Sequence, residues 1–463
     1  MQHRDLLHLY HRTSFGMDMK VYTQLRSQSR KEVVEGIFRS NADYEPLSID
    51  LTELSEYFKE ALKKNYKDYS PEEKKKIGKI GREKLKDLNL AWIDRLSYSK
   101  NSFREKMTLF WANLFVCRDH QVWFAQKYNN TLRKHALGHF GEFVKAIAKE
   151  PSMSKYLNNN QNFKDNPNEN FARELMELFT LGVGHYTEQD IKEAARAFTG
   201  WSFRRDGTFF LRTFRHDFGK KKFLNQEGNF NGDDIIDIIL EQKQCAQFIC
   251  EKIYRYFVNP IIDVSHISEM VNVFYKNYDI EKLMRHIFMA DWFYDKKNVG
   301  VKIKSPIELL VGMRRVVPFT FQNPKQLVYI QRIMGQFLLY PPNVAGWKGD
   351  RTWIDSNTLL FRMKLSSVLL NDAVITLAEK GAFEDSFEKY YQRAQQKKTF
   401  FKTTKNWDSF YEAYAAVSTS DLSKYLLVSK LDLDTKKMVS KLSLKDKRNH
   451  CIQLMSLPEY QLC

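Results

Sequence analysis

The sequence predicts a mainly α-helical fold, a multi-helix orthogonal bundle with an inserted β-hairpin. Apolar residues recur at i, i+3, i+4 and i+7 in many segments, including "LSEYFKEALKKNY", "FREKMTLFWANLF" and "DIIDIILEQKQCAQFICEKIYRYFV", which is the period of an amphipathic helix. Hydrophobic residues make up 43% of the 463 residues, enough to build a large core. Strand-like alternation is concentrated in "GWSFRRDGTFFLRTFRHDFGKKKFLN", where Asp206-Gly207 is a strong hairpin signal.

The first helix is predicted within "MQHRDLLHLYHRTSFG", with His3, His8 and His11 on its polar face. These charges and histidines stand where a secretory leader would be apolar, and the chain has no run of 18 uninterrupted apolar residues. We therefore expect a soluble protein without an integral membrane segment. As the sequence reads the protein is cytoplasmic, and a periplasmic or secreted location follows if a leader is missing.

A later helix is predicted over "TLRKHALGHFGEFVKAIAK", where His135, His139 and Glu142 are spaced i, i+4 and i+7. That spacing can place two imidazoles and a carboxylate on one helix face, which makes them weak candidates for a metal site. Histidines beside Leu137 and Phe140 are more often surface or core-edge residues. The five cysteines show no CxxC spacing, so we predict no bound metal and no cofactor.

The stretch "NPNENFARELMELFTLGVGHYTEQD" contains several helix-capping signals. Asn166, Pro167 and Glu169 fit an N-cap, a first-turn proline and an N3 carboxylate. Gly182 fits the end of that helix, and Thr187 fits the N-cap of the next. We therefore predict two capped helices joined by a short turn.

Capping leaves the middle of that first helix unexplained. If the helix is regular, one polar face carries Asn170, Arg173, Glu174 and Glu177. Glu174 and Glu177 are candidate catalytic carboxylates, and Arg173 and Asn170 are candidate binding residues, together with Asn168. A solvated face with an Arg173 salt bridge explains the same spacing without a function.

Two further candidate sites follow the hairpin. His216 and Asp217 could act in acid-base chemistry or form a hydrogen-bonded turn before Gly219. Asn343 and Trp347 are candidate binding residues on a loop near 340–355, where Pro341-Pro342 and Gly346 interrupt the helical pattern. Its tryptophans, Trp347 and Trp353, could stack on sugar rings, although a loop tryptophan more commonly plugs the core.

The domain prediction is a helical body at 1–370 and a Lys-rich helical C-terminal subdomain at 371–463. The body carries the hairpin near 201–216 and the Trp-bearing loop near 340–355. The division follows a change of composition near Asn371. The apolar ending "LMSLPEYQLC" indicates that the subdomain docks back onto the body.

Several blocks are similar to those of the large bacterial family called domain of unknown function eighteen hundred. They are "PNENFARELMELFTLGVGHYTEQDIKEAARAFTGW", "FREKMTLFW", "ALGHF", "HDFGKKKFL", "KSPIELLVGMRR" and "PPNVAGW". The resemblance spans nearly the whole chain, and it implies a secreted or periplasmic protein often encoded beside a sulfatase- or phosphatase-like partner. It implies no settled activity. Where the family typically reads FWHxHF, this chain reads "FWANLF", with Ala112 and Leu114 at the histidine positions, so we expect no chemistry that depends on that pair.

Three functions remain open at this stage. The first is a helical binding or accessory protein, with a polar pocket built from the PNEN helix, the hairpin end and the PPNVAGW loop. The second is a hydrolase in which Glu174 or Glu177 works with His216 on a glycan or a sulfated or phosphorylated ester. The third is non-specific nucleic-acid binding. The net charge of +17 favours anionic ligands in general, but no nucleic-acid motif is present, so we rank this last.

Overall fold

A computed structural model describes residues 1–55, 69–373 and 401–463. Within these ranges the chain is mainly α-helical with three small two-stranded antiparallel sheets, which confirms the predicted fold class. Most of the predicted helix "LSEYFKEALKKNY" lies outside the described residues, as does the first part of the predicted C-terminal subdomain. No described helix combines the length and the apolar character needed to cross a membrane.

The first part of the chain forms a series of helices that contribute to the core. They are α1 (His3–Thr13), α2 (Met19–Leu25), α3 (Arg30–Ser40), α4 (Pro71–Tyr98), α5 (Ser102–Leu114), α6 (Val122–His135), α7 (Phe140–Ala148) and α8 (Pro151–Tyr156). Helix α5 is buried along most of its length, because it packs against α4 and α6 and presents Phe103, Met107 and Trp111 to the core.

Helix α1 corrects one sequence expectation, since its histidines do not form a polar outer face. His8 and His11 are buried, and only His3 is half-buried. The Nε2 atom of His8 lies 3.1 Å from the carbonyl oxygen of Phe293. Burial lowers the pKa of both His8 and His11 well below 6.5. Other parts of the chain cover this helix on both sides, and the helical period alone could not reveal that.

The middle of the chain adds further helices around the same core. They are α9 (Asn170–Glu174), a π-helix (Leu175–Thr180), α10 (Glu188–Ala197), α11 (Gly232–Leu240), α12 (Lys243–Phe257), α13 (Val264–Phe274), α14 (Ile280–Met289), α15 (Pro306–Val316) and α16 (Lys325–Ile333). Helices α12, α13 and α14 pack against one another in sequence order.

The predicted hairpin is present. Strands β1 (Trp201–Phe203) and β2 (Phe209–Leu211) pair antiparallel, and Gly207 in the turn has a φ of +81°. A second hairpin, β3 (Lys221–Phe223) with β4 (Gln226–Gly228), was not predicted. Its turn residues are Leu224 and Asn225, both with positive φ, and leucine is an unusual residue at such a position.

The C-terminal part of the chain packs against the body. It contains α17 (Ser356–Leu370), α18 (Trp407–Ala413), α19 (Leu422–Leu426), α20 (Leu433–Lys441) and α21 (Lys447–Met455). Strand β6 (Thr403–Lys405) pairs with β5 (Phe319–Phe321) of the body. Lys304 donates a hydrogen bond to the carbonyl oxygen of Tyr460. The predicted docking of the chain's last residues is thus seen, while the boundary at 370/371 stays a prediction.

Candidate functional site

The helix of the PNEN segment begins later in the chain than its capping pattern predicts. Helix α9 begins at Asn170, and the side chain of Asn168 accepts a hydrogen bond from the backbone N–H of Asn170. After Glu174 the chain continues as a π-helix, in which the N–H of Leu181 donates to the carbonyl oxygen of Met176. A π turn has a wider period than an α turn, so the assumption of one regular helical face is wrong beyond Glu174.

Arg173 belongs to a surface network of ion pairs. Its guanidinium lies 3.0 Å from the Glu169 carboxylate and 2.8 Å from that of Glu188, at the start of α10. The Arg173 side chain is 35% exposed and the Glu188 side chain is 69% exposed. The arrangement matches the solvated salt bridge that the spacing also allowed.

Glu174 and Glu177 lie near enough for their charges to interact. Burial, followed by the charge of Glu177, raises the pKa of Glu174 above its ordinary value. Glu177 accepts a hydrogen bond of 3.1 Å from the hydroxyl of Tyr186. Two carboxyl groups in different environments can hold different protonation states, which is a requirement for acid-base chemistry.

His216 lies at the other end of α10 from the Arg173 network. It is buried, and its Nδ1 donates a 2.7 Å hydrogen bond to the carbonyl oxygen of Thr199. Asp217 forms an ion pair with Arg196 at 2.7 Å. Arg196 is eight residues beyond Glu188, roughly 12 Å along a helix. His216 and the Arg173 network therefore lie at opposite ends of α10, and a pocket that His216 shares with Glu174 or Glu177 stays a prediction.

The three weak metal candidates do not share a helix face. The predicted single helix is broken at 136–139, so His135 ends α6 and His139 caps the start of α7. The ring of His135 stacks on Phe143, while His139 accepts a hydrogen bond from the N–H of Glu142. Across the described ranges no group of three histidine, cysteine or acidic side chains is placed to hold a metal ion.

The Trp-bearing loop is anchored on α5. Trp347 and Trp353 are 6% and 7% exposed, so neither is held out in solvent, and both border a pocket; stacking on a ligand stays a prediction. The side chain of Asn113 binds Trp347 at two points, donating to its carbonyl oxygen at 3.1 Å and accepting from its N–H at 2.7 Å. Asn343 is exposed and stabilises a turn by accepting from the N–H of Ala345.

A pocket of about 420 Å³ opens beside this loop. We call it the Trp347 pocket. Its lining includes Phe110, Asn113, Leu114, Lys252, Arg255, Tyr256, Lys302, Ser305, Glu308, Gln336, Trp347, Lys348, Asp350 and Trp353. Of the three segments that the sequence predicts to build a polar pocket, the loop is the one that lines this pocket. Arg173, Glu174, Glu177 and His216 line none of the four pockets considered in the described residues.

One wall of the Trp347 pocket contains a buried charge cluster. Glu308 lies at the start of α15, where it forms a capping box with Ser305. Its carboxylate is 2.6 Å from the Lys106 ammonium and 2.8 Å from that of Lys302. Burial raises the pKa of Glu308, but the two lysines outweigh burial and hold that pKa well below its ordinary value. The capping box was readable from "SPIE", whereas the long-range lysine contacts were not.

Comparisons with known proteins agree with the family resemblance. A family described as "Protein of unknown function (DUF1800)" has a model that matches residues 8–462. Comparison with curated proteins and with solved structures gave no significant match.

Proposed function

Because the chain belongs to the DUF1800 family of unknown function, we propose a function from its own geometry: it binds an anionic small molecule in the Trp347 pocket. We also propose that it acts as an accessory to a sulfatase- or phosphatase-like partner, as the family resemblance implies. Such partners act on oxyanion esters, so the two proposals concern related chemistry.

The observation that carries the proposal is the excess of cationic side chains in the pocket lining. Lys252, Arg255, Lys302 and Lys348 line the pocket, against the two carboxylates Glu308 and Asp350. Lys302 and Glu308 already form an ion pair, and the side chains of Arg255 and Lys348 are exposed. A cleft with a surplus of one charge attracts ligands of the opposite charge.

The size and rigidity of the pocket also suit a small molecule. Its volume of about 420 Å³ falls within the roughly 300–1,000 Å³ typical of ligand sites. Asn113 fixes the backbone of Trp347 at the pocket's edge. Binding to a preformed wall requires less ordering than binding to a mobile loop, so affinity is higher for a given set of contacts.

A titration with two small esters tests the proposal. Phenyl sulfate and phenyl phosphate combine an oxyanion with an aromatic ring, and phenol is the neutral control. We expect calorimetric binding of the esters, weakened at least tenfold in Arg255→Met and Lys348→Met. Lys437→Met removes an exposed lysine of α20, away from the pocket lining, and should bind like the parent protein. Equal affinity in all variants, or no binding of either ester, contradicts the proposal.

The second proposal is a hydrolase that uses Glu174 and Glu177. It is supported by the raised pKa of Glu174 beside Glu177, and it does not need His216. Release of phenol from either ester distinguishes it from simple binding. Turnover that disappears in Glu174→Gln and persists in Arg255→Met would favour the hydrolase.

Non-specific nucleic-acid binding through the basic surface is the third proposal. It is supported by the net charge of +17 alone. We expect weak, sequence-independent binding that disappears as salt rises from about 50 to about 200 mM, because such contacts depend on counterion release. Tight binding at the higher salt concentration in a filter-binding titration would place this function first.

A further inference from the structure

A second cationic pocket lies at the junction of α2, the end of α15 and α18. It has a volume of about 230 Å³ and is lined by Asp18, Lys20, Arg314, Arg315 and Ser409, among others. We call it the Arg315 pocket. No lining residue is shared with the Trp347 pocket, so a ligand here is independent of the proposed function.

The central feature of this pocket is the Arg315 guanidinium, one nitrogen of which has no hydrogen-bond partner among the described residues. The Nη1 atom of Arg315 is buried and makes no hydrogen bond with the described residues. A buried donor without an acceptor is costly, and the cost is larger for a charged group. Burial lowers the pKa of Arg315, against the opposing effect of Asp18. The Arg315 Nη1 group therefore lacks a hydrogen-bond acceptor, and the pocket beside it has room for one.

The neighbouring arginine differs, because its hydrogen bonds are already made. Arg314 forms an ion pair of 2.8 Å with Asp94 and donates to the hydroxyl of Ser97 at 3.2 Å. Its guanidinium carbon also lies 4.9 Å from the centre of the Tyr98 ring. The Arg314 side chain is thus held in place in the pocket wall, and Arg315 is the arginine that can still bind a ligand.

The other charged groups of the pocket are already engaged. Asp18 is the carboxylate in the lining, and one of its oxygens already accepts from the N–H groups of Lys20 and Val21 at the start of α2. The Lys20 ammonium pairs with Glu412 on α18 at 2.9 Å, and both side chains are largely exposed. Lys20 and Arg314 are thus each paired with a carboxylate outside the lining, and Arg315 is the cation of the lining that has no ion pair among the described residues.

We propose that the Arg315 pocket binds a tetrahedral oxyanion, phosphate or sulfate, either free or as the terminal group of a larger molecule. The planar guanidinium fork matches such oxygens and can bind two of them at once. The hydroxyl group of Ser409, on α18, lines the same space and can donate to a further oxygen. The anion would join an N-terminal helix to a C-terminal one.

Because a bound anion would join these segments, its binding can be measured as a rise in the unfolding temperature as well as by calorimetry. A ligand that binds only the folded chain raises the temperature of unfolding in a saturable manner. Inorganic phosphate and inorganic sulfate are the probes, each compared with sodium chloride at equal ionic strength. We expect one of them to raise the unfolding temperature at saturation, with a Kd measurable by calorimetry.

Two variants assign the effect to this pocket. Arg315→Met should raise the Kd at least tenfold, and Lys437→Met, which removes an exposed lysine outside both pocket linings, should leave it unchanged. If Arg315→Met does not fold, Lys20→Met replaces it, since that side chain is exposed, and a rise in Kd of at least twofold is expected. The proposal is overturned if neither anion binds saturably, or if the response is lost only in Lys348→Met, a variant of the Trp347 pocket. Comparing the two anions shows whether the site uses the P–O–H group of hydrogen phosphate, a hydrogen-bond donor that sulfate lacks.

Discussion

The side-chain amide of Asn113 pairs with the backbone of Trp347 as a neighbouring β-strand would. It donates to the carbonyl oxygen at 3.1 Å and accepts from the N–H at 2.7 Å. Gly346 permits this approach, because it has a φ of +77° and an added Cβ would lie 2.5 Å from the Asn113 Oδ1. The contact joins helix α5 to the loop that borders the Trp347 pocket.

We predict that Asn113→Ala lowers the free energy of unfolding by about 1–3 kcal/mol, because it leaves the Trp347 backbone groups without their partner. Phenyl sulfate or phenyl phosphate should also bind more weakly, since the loop is no longer fixed. Chemical denaturation and calorimetry measure the two effects. Asn343→Ala is the matched control, since Asn343 is exposed on the same loop. Equal effects of the two substitutions would contradict the role of Asn113.

The Glu308 cluster should be the most sensitive charged site near the pocket. Glu308→Gln keeps the shape of the side chain but leaves the buried ammonium groups of Lys106 and Lys302 without their counter-charge. We expect a loss of about 3–5 kcal/mol in the free energy of unfolding, as for a broken buried ion pair. Glu412→Gln, which breaks an exposed pair with Lys20, should give no measurable change. Urea denaturation of both variants decides, and a near-neutral Glu308→Gln would show that the cluster is solvated.

Arg173→Ala should have a small effect. Its two partners and its own side chain are partly exposed, and surface ion pairs contribute little. We expect a change below about 1 kcal/mol in the free energy of unfolding, with ester binding unchanged. A denaturant melt showing a loss of about 3 kcal/mol or more would instead indicate a buried network at this face.

The parts of the fold that depend on local sequence were predictable. Asp206-Gly207 specifies its hairpin through turn geometry, and Thr187 with Asp190 forms the expected capping box. Two sequence predictions were wrong for local reasons. The helix predicted across 131–149 ends at His135 and a new helix begins at Phe140, and the π-helix after Glu174 shifts the positions that share a face.

The site was harder to predict because it depends on contacts between distant segments. Nothing near Lys106 in the sequence indicates that its ammonium meets Glu308. The period of α1 predicts that His11 faces solvent, because polar residues on a helix are normally solvated. In the structure His11 is buried, and beyond the effect of burial Lys304 and Lys106 lie close enough to lower its pKa further. The loop containing Trp347 was found because its prolines and glycine mark it locally.

We predict that the purified protein carries no stoichiometric transition metal. Ala112 and Leu114 occupy the positions where the family resemblance implies histidines, and His135 and His139 belong to different helices. Elemental analysis after dialysis measures this, with a zinc-loaded sample as the positive control. About one zinc, iron or manganese per chain would contradict the prediction, and loss of that metal in His135→Ala would identify the ligand.

Lys304 should make stability depend on pH above neutrality. It is buried, donates to the Tyr460 carbonyl oxygen and lies 4.0 Å from the centre of the Tyr460 ring. Burial lowers its pKa to about 8, against an ordinary value near 10.4. Between these two values the unfolded chain holds a proton that the folded chain has released. The contribution of Lys304 to stability therefore increases as pH rises through this window and is lost as pH falls through about 8.

We expect this contribution to grow by about 2 kcal/mol between about pH 7 and about pH 9.5. Buried thiols act in the opposite direction, since burial raises the pKa of Cys245 to about 12, so the parent protein alone is not a sufficient test. Lys304→Met removes the lysine and keeps the thiols. The difference in unfolding free energy, parent minus variant, should rise over this range, because only the parent releases the proton. A difference that stays constant with pH would show that Lys304 titrates alike in the folded and unfolded chains, and that its buried ammonium is compensated by its surroundings.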